Sequence, residues 1–339
     1  MEATNKRGKQ SFVLPKPAYI TAWANVGGKK EGQGPMKDHI DIISQDTRFG
    51  QKTWEQAEAQ MQLLALGKLA EKANRNQGEF SLIYSGDLLN QCISSSFPLN
   101  NTGLPHLGLY GACSTMAESL LLAAMTVSGG FSDLVVAMTS SHFAGAERQY
   151  RFPLGYGGQR TPTAQWTVTG AGAALLSGTG KGPRIDSCTI GTVCDRGIRD
   201  ANAMGAAMAP AALDTIQAHF RDFGRSEQDF DAIVTGDLGS HGVALLLELA
   251  RREGVALAGK LIDCGMLVYD ANKQDVHAGG SGCGCSALVL CGYLLEKLSK
   301  GQWKRILFCG TGALLSPTST QQGLPIPGTC HAVSITGGM

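Results

Sequence analysis

The chain has 339 residues, a net charge of +1 and a charged fraction of 17%, below the usual quarter or so. That balance gives no global field for nucleic acid or an anionic membrane. With 45 glycines it also excludes a self-repelling disordered chain and favours buried sheet joined by tight turns. The length allows two domains or one double-sized fold.

In chain order, residues 1–16 are polar and carry no apolar core of a secretory leader. Residues 54–73 place Ala57, Met61, Leu64 and Leu69 near helical spacing. The apolar run Ser81-Leu82-Ile83-Tyr84-Ser85 follows and ends in Gly86-Asp87-Leu88. Next come Gly111-Ala112-Cys113-Ser114, a small-residue helix over 117–127, a glycine turn and a strand over 134–138. The longest apolar runs, such as 120–127, fall short of the ~18 residues that span a bilayer.

The pattern then returns. A helix is predicted over 209–223, with Ala212, Ile216 and Phe220 on one face. Asp231-Ala232-Ile233-Val234-Thr235 ends in Gly236-Asp237-Leu238, about 150 residues after its first copy. Gly280-Ser281-Gly282-Cys283-Gly284-Cys285 opens a helix over 287–298, and a strand follows over 305–309. Alternating helices and all-apolar strands predict predominantly parallel buried sheets. The glycine, alanine, serine and cysteine that open each second helix let it pack between two sheets. Two such helices back to back give an internally duplicated α/β protein, a five-layer α-β-α-β-α sandwich with halves 1–180 and 181–339. Residues 179–184 form only a short polar turn, not a linker between independent domains.

Most of the ten cysteines read as buried thiols of a reducing compartment, with Cys92, Cys264, Cys291 and Cys309 in apolar runs. Cys283 and Cys285 lack the second pair that a zinc site needs. No phosphate-binding loop or dinucleotide turn stands in the right context. No metal and no cofactor is expected.

The order of elements, with a cysteine just before the first central helix, resembles the thiolase superfamily. The resemblance is closer to one branch, the stage V sporulation protein AD family of spore-forming Firmicutes. It is carried by Gly86-Asp87-Leu88-Leu89-Asn90-Gln91, Gly111-Ala112-Cys113-Ser114-Thr115, Ser140-Ser141-His142, Ala146-Glu147-Arg148-Gln149 and Tyr156-Gly157-Gly158-Gln159. In the second half it is carried by Ala207-Met208-Ala209-Pro210-Ala211-Ala212, Ala278-Gly279-Gly280-Ser281-Gly282-Cys283 and Thr311-Gly312-Ala313-Leu314-Leu315-Ser316-Pro317. The resemblance implies a role in taking dipicolinic acid, with calcium, into the developing spore and releasing it at germination. It also implies membrane proteins of the same channel as partners, a peripheral position at the spore inner membrane after cytoplasmic synthesis, and a homodimer paired through strands of the first half. A nucleic-acid partner is not expected.

Cys113 is the first candidate. At a helix N-terminus, unpaired N–H groups and the dipole favour the thiolate, and Ser114 beside it joins the ligand-lining set. The three-part condensing enzymes of the superfamily take a His and an Asn from second-half loops. Here those loops read Gly236-Asp237-Leu238-Gly239 and Gly280-Ser281-Gly282-Cys283, so both catalytic partners are absent from their places. His241 and His277 lie near those loops and read as surface residues. His142 stands past a strand end, where α/β folds place ligands. Arg148 and Arg151 follow and could clamp a flat dicarboxylate, against a solvated or dimer-contact role. Asp87 is a further ligand candidate. With Asp237 it forms a repeat-related pair that cannot complete a calcium site alone, and capping of the following turns is the alternative use.

Two functions follow. One is a non-enzymatic binding protein holding dipicolinate in a pocket beside Cys113 and His142, with affinity rising as His142 protonates. The other is an acyltransferase or ketoacyl synthase using Cys113. A purely structural scaffold for the channel is a third.

Overall fold

A computed structural model describes residues 5–100, 102–150 and 160–338; Arg151 and the Tyr156-Gly157-Gly158-Gln159 motif lie outside them. The first half contributes strands β1 (Ser11–Gly27), β2 (Leu82–Gly86), β3 (His106–Leu109), β4 (Val135–Ser141) and β5 (Gly170–Ser177). The second contributes β6 (Arg184–Thr189), β7 (Ala232–Thr235), β8 (Leu261–Asp263), β9 (Arg305–Ala313) and β10 (Gly328–Thr336). Their spatial order is β3-β2-β4-β5-β1 and then β6-β10-β9-β7-β8. The second half therefore repeats the order of the first, and the two meet where β1 pairs antiparallel with β6.

That seam is interrupted. Ser11, Phe12 and Val13 pair with Thr189, Cys188 and Ser187, and pairing resumes only at Ala18 with Ile185. Pro15 and Pro17 lie in the gap, and neither can donate to a ladder. The sheets are mixed, a departure from the parallel expectation. The triplets β3-β2-β4 and β8-β7-β9 are parallel, whereas β4-β5, β5-β1, β6-β10 and β10-β9 are antiparallel. The connection from β4 to β5 passes through the helix Phe143–Tyr150 and that from β9 to β10 through the short helix Pro317–Gln321, while the turn over 178–183 links β5 to β6 on opposite sides of β1.

Six helices build the layers: α1 (Trp54–Ala73), α2 (Thr115–Ser128), α3 (Phe143–Tyr150), α4 (Met204–Phe223), α5 (Gly239–Arg252) and α6 (Cys283–Val289). The helix α6 runs on through a π-helical turn, Leu290–Leu294, to Leu295–Ser299. Thr53 caps α1 by accepting from the Gln56 amide, and left-handed Asn74 ends it.

Side chains alternate along each strand, which sorts the core into three layers. Val135 and Ala137 of β4, with Ile306 and Phe308 of β9, face α2 and α6 in the centre. Val136 and Met138 face α1 on one outside. Leu307 and Cys309 face α4 and α5 on the other. The centre is tight because glycines admit it. A Cβ at Gly172 of β5 would come within 2.4 Å of the Ala287 carbonyl oxygen in α6, and one at Gly310 of β9 within 2.6 Å of Ala117 in α2.

Gly172→Ala should therefore destabilise the protein by roughly 1–3 kcal/mol, since the obstructing atom is backbone. Gly67→Ala, in the half-buried wall of α1 where the nearest atom is the Gln77 amide at 3.6 Å, should stabilise by roughly 0.5–1 kcal/mol. Denaturant midpoints of the two variants check both signs.

Candidate functional site around Cys113

The turn Ala112–Ser114 leads directly into α2. Ala112 sits at φ +53, a left-handed conformation that costs an alanine roughly 1–2 kcal/mol. Local bonds hold it there: Ser114 donates its hydroxyl to the Gly111 carbonyl (2.6 Å), and Thr115 donates to that of Ala112 (2.6 Å). The turn presents the Cys113 thiol, itself buried, to the second half of the chain.

The thiol there meets an acid. The Cys113 thiol lies beside the Asp237 carboxylate and the Gly282 N–H. Asp237 also accepts from Gly282 N–H (2.8 Å) and from the Thr311 hydroxyl (3.0 Å). The Gln165 amide ties the Asp237 carbonyl (2.7 Å) to that of Gly280 (2.8 Å). Burial, chiefly, and then the neighbouring carboxylate push the thiol well above its ordinary value. Burial also pushes Asp237 up, to about 7. The helix-dipole argument for a thiolate is thus overturned. The terminus of α2 acts at an enclosed site whose closest charged partner is anionic, so the proton stays on sulfur.

The cavity over the thiol is small, about 50 Å³, little more than one water's share of liquid volume, roughly 30 Å³. Leu88, Tyr150, Met204, Ser281 and Leu315 enclose it. Outside it lies a second cavity of about 250 Å³, bordered by Asn90, Tyr110 and Ser316, with Ala112, Tyr150 and Leu315 shared between the two. Tyr150 stands between them, its hydroxyl donating to the Leu88 carbonyl and 3.0 Å from that of Tyr110. Among the described residues no lysine, arginine or histidine lines either cavity.

The other residues singled out from sequence are dispersed. Ser114 spends its hydroxyl on Gly111. Asp87 caps the turns after β2, accepting from the Leu89 amide (2.8 Å) and from the Ser95 amide (2.8 Å) and hydroxyl (2.7 Å). Burial pushes it up to about 6. Arg148 is half exposed and paired with Glu55. His142 lines a different cavity from Cys113. Its Nδ1 accepts from the Ala144 amide (3.2 Å) and its Nε2 donates to the Thr47 carbonyl (2.9 Å). Burial lowers its pKa. A ring with both nitrogens engaged and its cation disfavoured is a poor titrating contact. His241 and His277 are exposed. Among the described residues no three His, Cys, Asp or Glu side chains gather as a metal site. Sequence reasoning did not find the Asp237–thiol contact or the roles of Gln165, Tyr150 and Thr311. The Thr311 motif was visible, but its partner Asp237 lies 74 residues away in the sequence.

Comparison with known proteins places these features in a lineage. A family model described as stage V sporulation protein AD matches residues 8–336. The stage V sporulation protein AD of Bacillus subtilis (strain 168) is 41% identical over 326 residues, covering 96% of each chain. Among solved structures, a variant of OleA from Xanthomonas campestris is 14% identical with TM-score 0.61, covering 96% of this chain and 99% of that one. The 3-oxoacyl-[acyl-carrier-protein] synthase III of Aquifex aeolicus VF5 is 12% identical with TM-score 0.56, over 94% and 99%. The human mitochondrial 3-ketoacyl-CoA thiolase in complex with CoA is 12% identical with TM-score 0.58, over 96% and 99%. At such identities the structural likeness shows the fold, which is thiolase-like.

Asp237 has a consequence for stability. With its folded value near 7 and its ordinary value 3.8, the native state binds this proton more tightly than the unfolded chain does. Its contribution is full below about pH 4 and is lost as pH rises through about 7, on the order of 4 kcal/mol in all. Asp237→Asn removes that slope. Unfolding free energies at several pH values should show the variant gaining on the native protein across this window; a pH-independent difference contradicts the assignment.

Proposed function

The chain belongs to the stage V sporulation protein AD family, and from that premise we propose that it is a non-enzymatic binding protein for dipicolinic acid, free or as its calcium chelate. In this reading it serves uptake into the developing spore and release at germination, peripherally at the inner membrane beside a channel made of other chains. Among the described residues no helix is long and apolar enough to cross a membrane, so any channel would be supplied by partners. The edge strand β3 with exposed Leu107 supports the proposed homodimer, which pairs through the first half.

The observation that carries the non-catalytic reading is the Cys113–Asp237 pair. A condensing cysteine needs a base or an electropositive neighbour and a stabilised oxyanion. This thiol has a carboxylate against it. The acyltransferase reading draws on the fold and on the thiol's place beside a cavity. It would need a proton acceptor other than the exposed His241 and His277.

Calorimetric titration with dipicolinate, with and without calcium, should give a saturable signal that benzoate does not reproduce. Cys113→Ser should bind as the native protein does, because no thioester is required. After incubation with acyl-CoA, intact mass should be unchanged. Acylation at Cys113 with turnover would replace the binding reading with the enzymatic one.

A further inference from the structure

On the outer side of the first half, five polar side chains are buried together under α1, none of them cationic. Glu58 and Gln62 stand four residues apart on α1 and are 1% and 0% exposed. Gln62 donates both amide hydrogens, one to the Ser140 hydroxyl at the end of β4 (2.7 Å) and one to the Ser95 hydroxyl in the turns after β2 (3.0 Å). Each serine passes its own hydrogen outward, Ser140 to Glu58 Oε1 (2.8 Å) and Ser95 to Asp87 Oδ2 (2.7 Å). An amide nitrogen only donates, so the direction of every bond is fixed. A wire of three neutral groups therefore joins two buried acids.

The accounting leaves two acceptors over. Glu58 Oε2 and Gln62 Oε1 are buried with no hydrogen-bond partner. The Ser94 hydroxyl, beside Glu58, donates to the Glu55 carbonyl (3.4 Å), and Leu89 and Gly145 of α3 lie over Oε2. Buried acceptors without a donor are costly. Side chains at i and i+4 are neighbours on a helix, and one proton on Glu58 Oε2 would partner both atoms, the acid donating and the amide oxygen accepting.

The two acids differ in their donors. Asp87 takes three, from the Leu89 amide and from the Ser95 amide and hydroxyl, whereas Glu58 takes the one from Ser140. The anion therefore belongs on Asp87. Burial, and then the Asp87 charge, push Glu58 well above its ordinary value. The other ionisable groups packed around the wire offer it no free cation. Cys283 donates to the Ser140 carbonyl (3.0 Å) and Cys92 to that of Leu109 (3.0 Å). On α3, Glu147 accepts from the Thr167 hydroxyl (3.0 Å) and Arg148 is paired with Glu55.

We propose that Glu58 carries a proton in the native protein and that this proton is a pH-sensitive latch, tying α1 to the turns over 87–95 and to the end of β4. The latch bears on the thiol cavity, because Leu88 in those turns is part of its wall. Its stabilisation is full below the ordinary glutamate value of 4.5 and is lost as pH rises through the higher folded value. Once Glu58 ionises, two buried anions face each other along the wire and the turns part from α1. The latch needs no ligand, so it stands or falls apart from dipicolinate binding.

The test uses the full chain and Glu58→Gln, which keeps the shape and gives Gln62 a permanent donor. Infrared difference spectra, native minus variant, should show at pH 7 the carbonyl stretch of a protonated carboxylic acid, lost as pH is raised. Hydrogen exchange should then show the protection of α1 and of residues 87–95 falling relative to the variant, by up to about tenfold per pH unit, as release of one proton requires. Ser140→Ala serves even where Glu58→Gln does not fold. It removes a donor to the ionised form, so the acid band should shift and persist to higher pH. A carboxylate band for Glu58 at pH 7, or an acid band that titrates alike in the native and Ser140→Ala proteins, overturns the proton. A protonated band with protection ratios that stay flat with pH overturns the latch.

Discussion

The two central helices lie against strands from both halves at distances that only glycine permits, and the functional geometry follows from that approach. Gly172 and Gly310 bring α6 and α2 onto their sheets. The loops ahead of these helices then meet: Cys113 precedes α2, Gly282 precedes α6, and Asp237 follows β7. The short parallel pairing of Trp166–Thr167 with Gly280–Ser281 fastens the same junction. A site assembled this way depends on both repeats, and neither half alone could supply the thiol and the acid together.

What the junction does to the thiol decides the chemistry. A helix N-terminus alone would favour a thiolate. Here enclosure and a carboxylate act in the opposite sense, and burial terms of this kind outweigh a terminal dipole that is worth typically 0.3–1 kcal/mol. The fold that its structural neighbours share is preserved, while burial and the neighbouring carboxylate raise the pKa of the Cys113 thiol.

The fold was legible where local rules agree with tertiary demand. The helix Trp54–Ala73 was legible from its apolar spacing, and a threonine cap and a left-handed asparagine fix its ends in the structure. The antiparallel strands were not legible. The Gly-Ala sequence of β5 has no β-branched pattern, since it must lie under a helix, and β1 carries two prolines at an unpaired bulge. The site was half legible. Cys113 announces itself by its place before a small-residue helix, but Gly86-Asp87-Leu88 and Gly236-Asp237-Leu238 look alike and act differently. Asp87 satisfies turn amides, whereas Asp237 faces a sulfur from the other repeat. His142, placed at a strand end as a ligand group would be, is spent on backbone bonds.

The central claim is that Cys113 keeps its proton. The most direct measurement is the infrared S–H stretch of this thiol, isolated as the difference between the native protein and Cys113→Ser. The account predicts that the band persists at pH values above the ordinary thiol value of about 8.5. Loss of the band around neutral pH would show a thiolate at this site and contradict it.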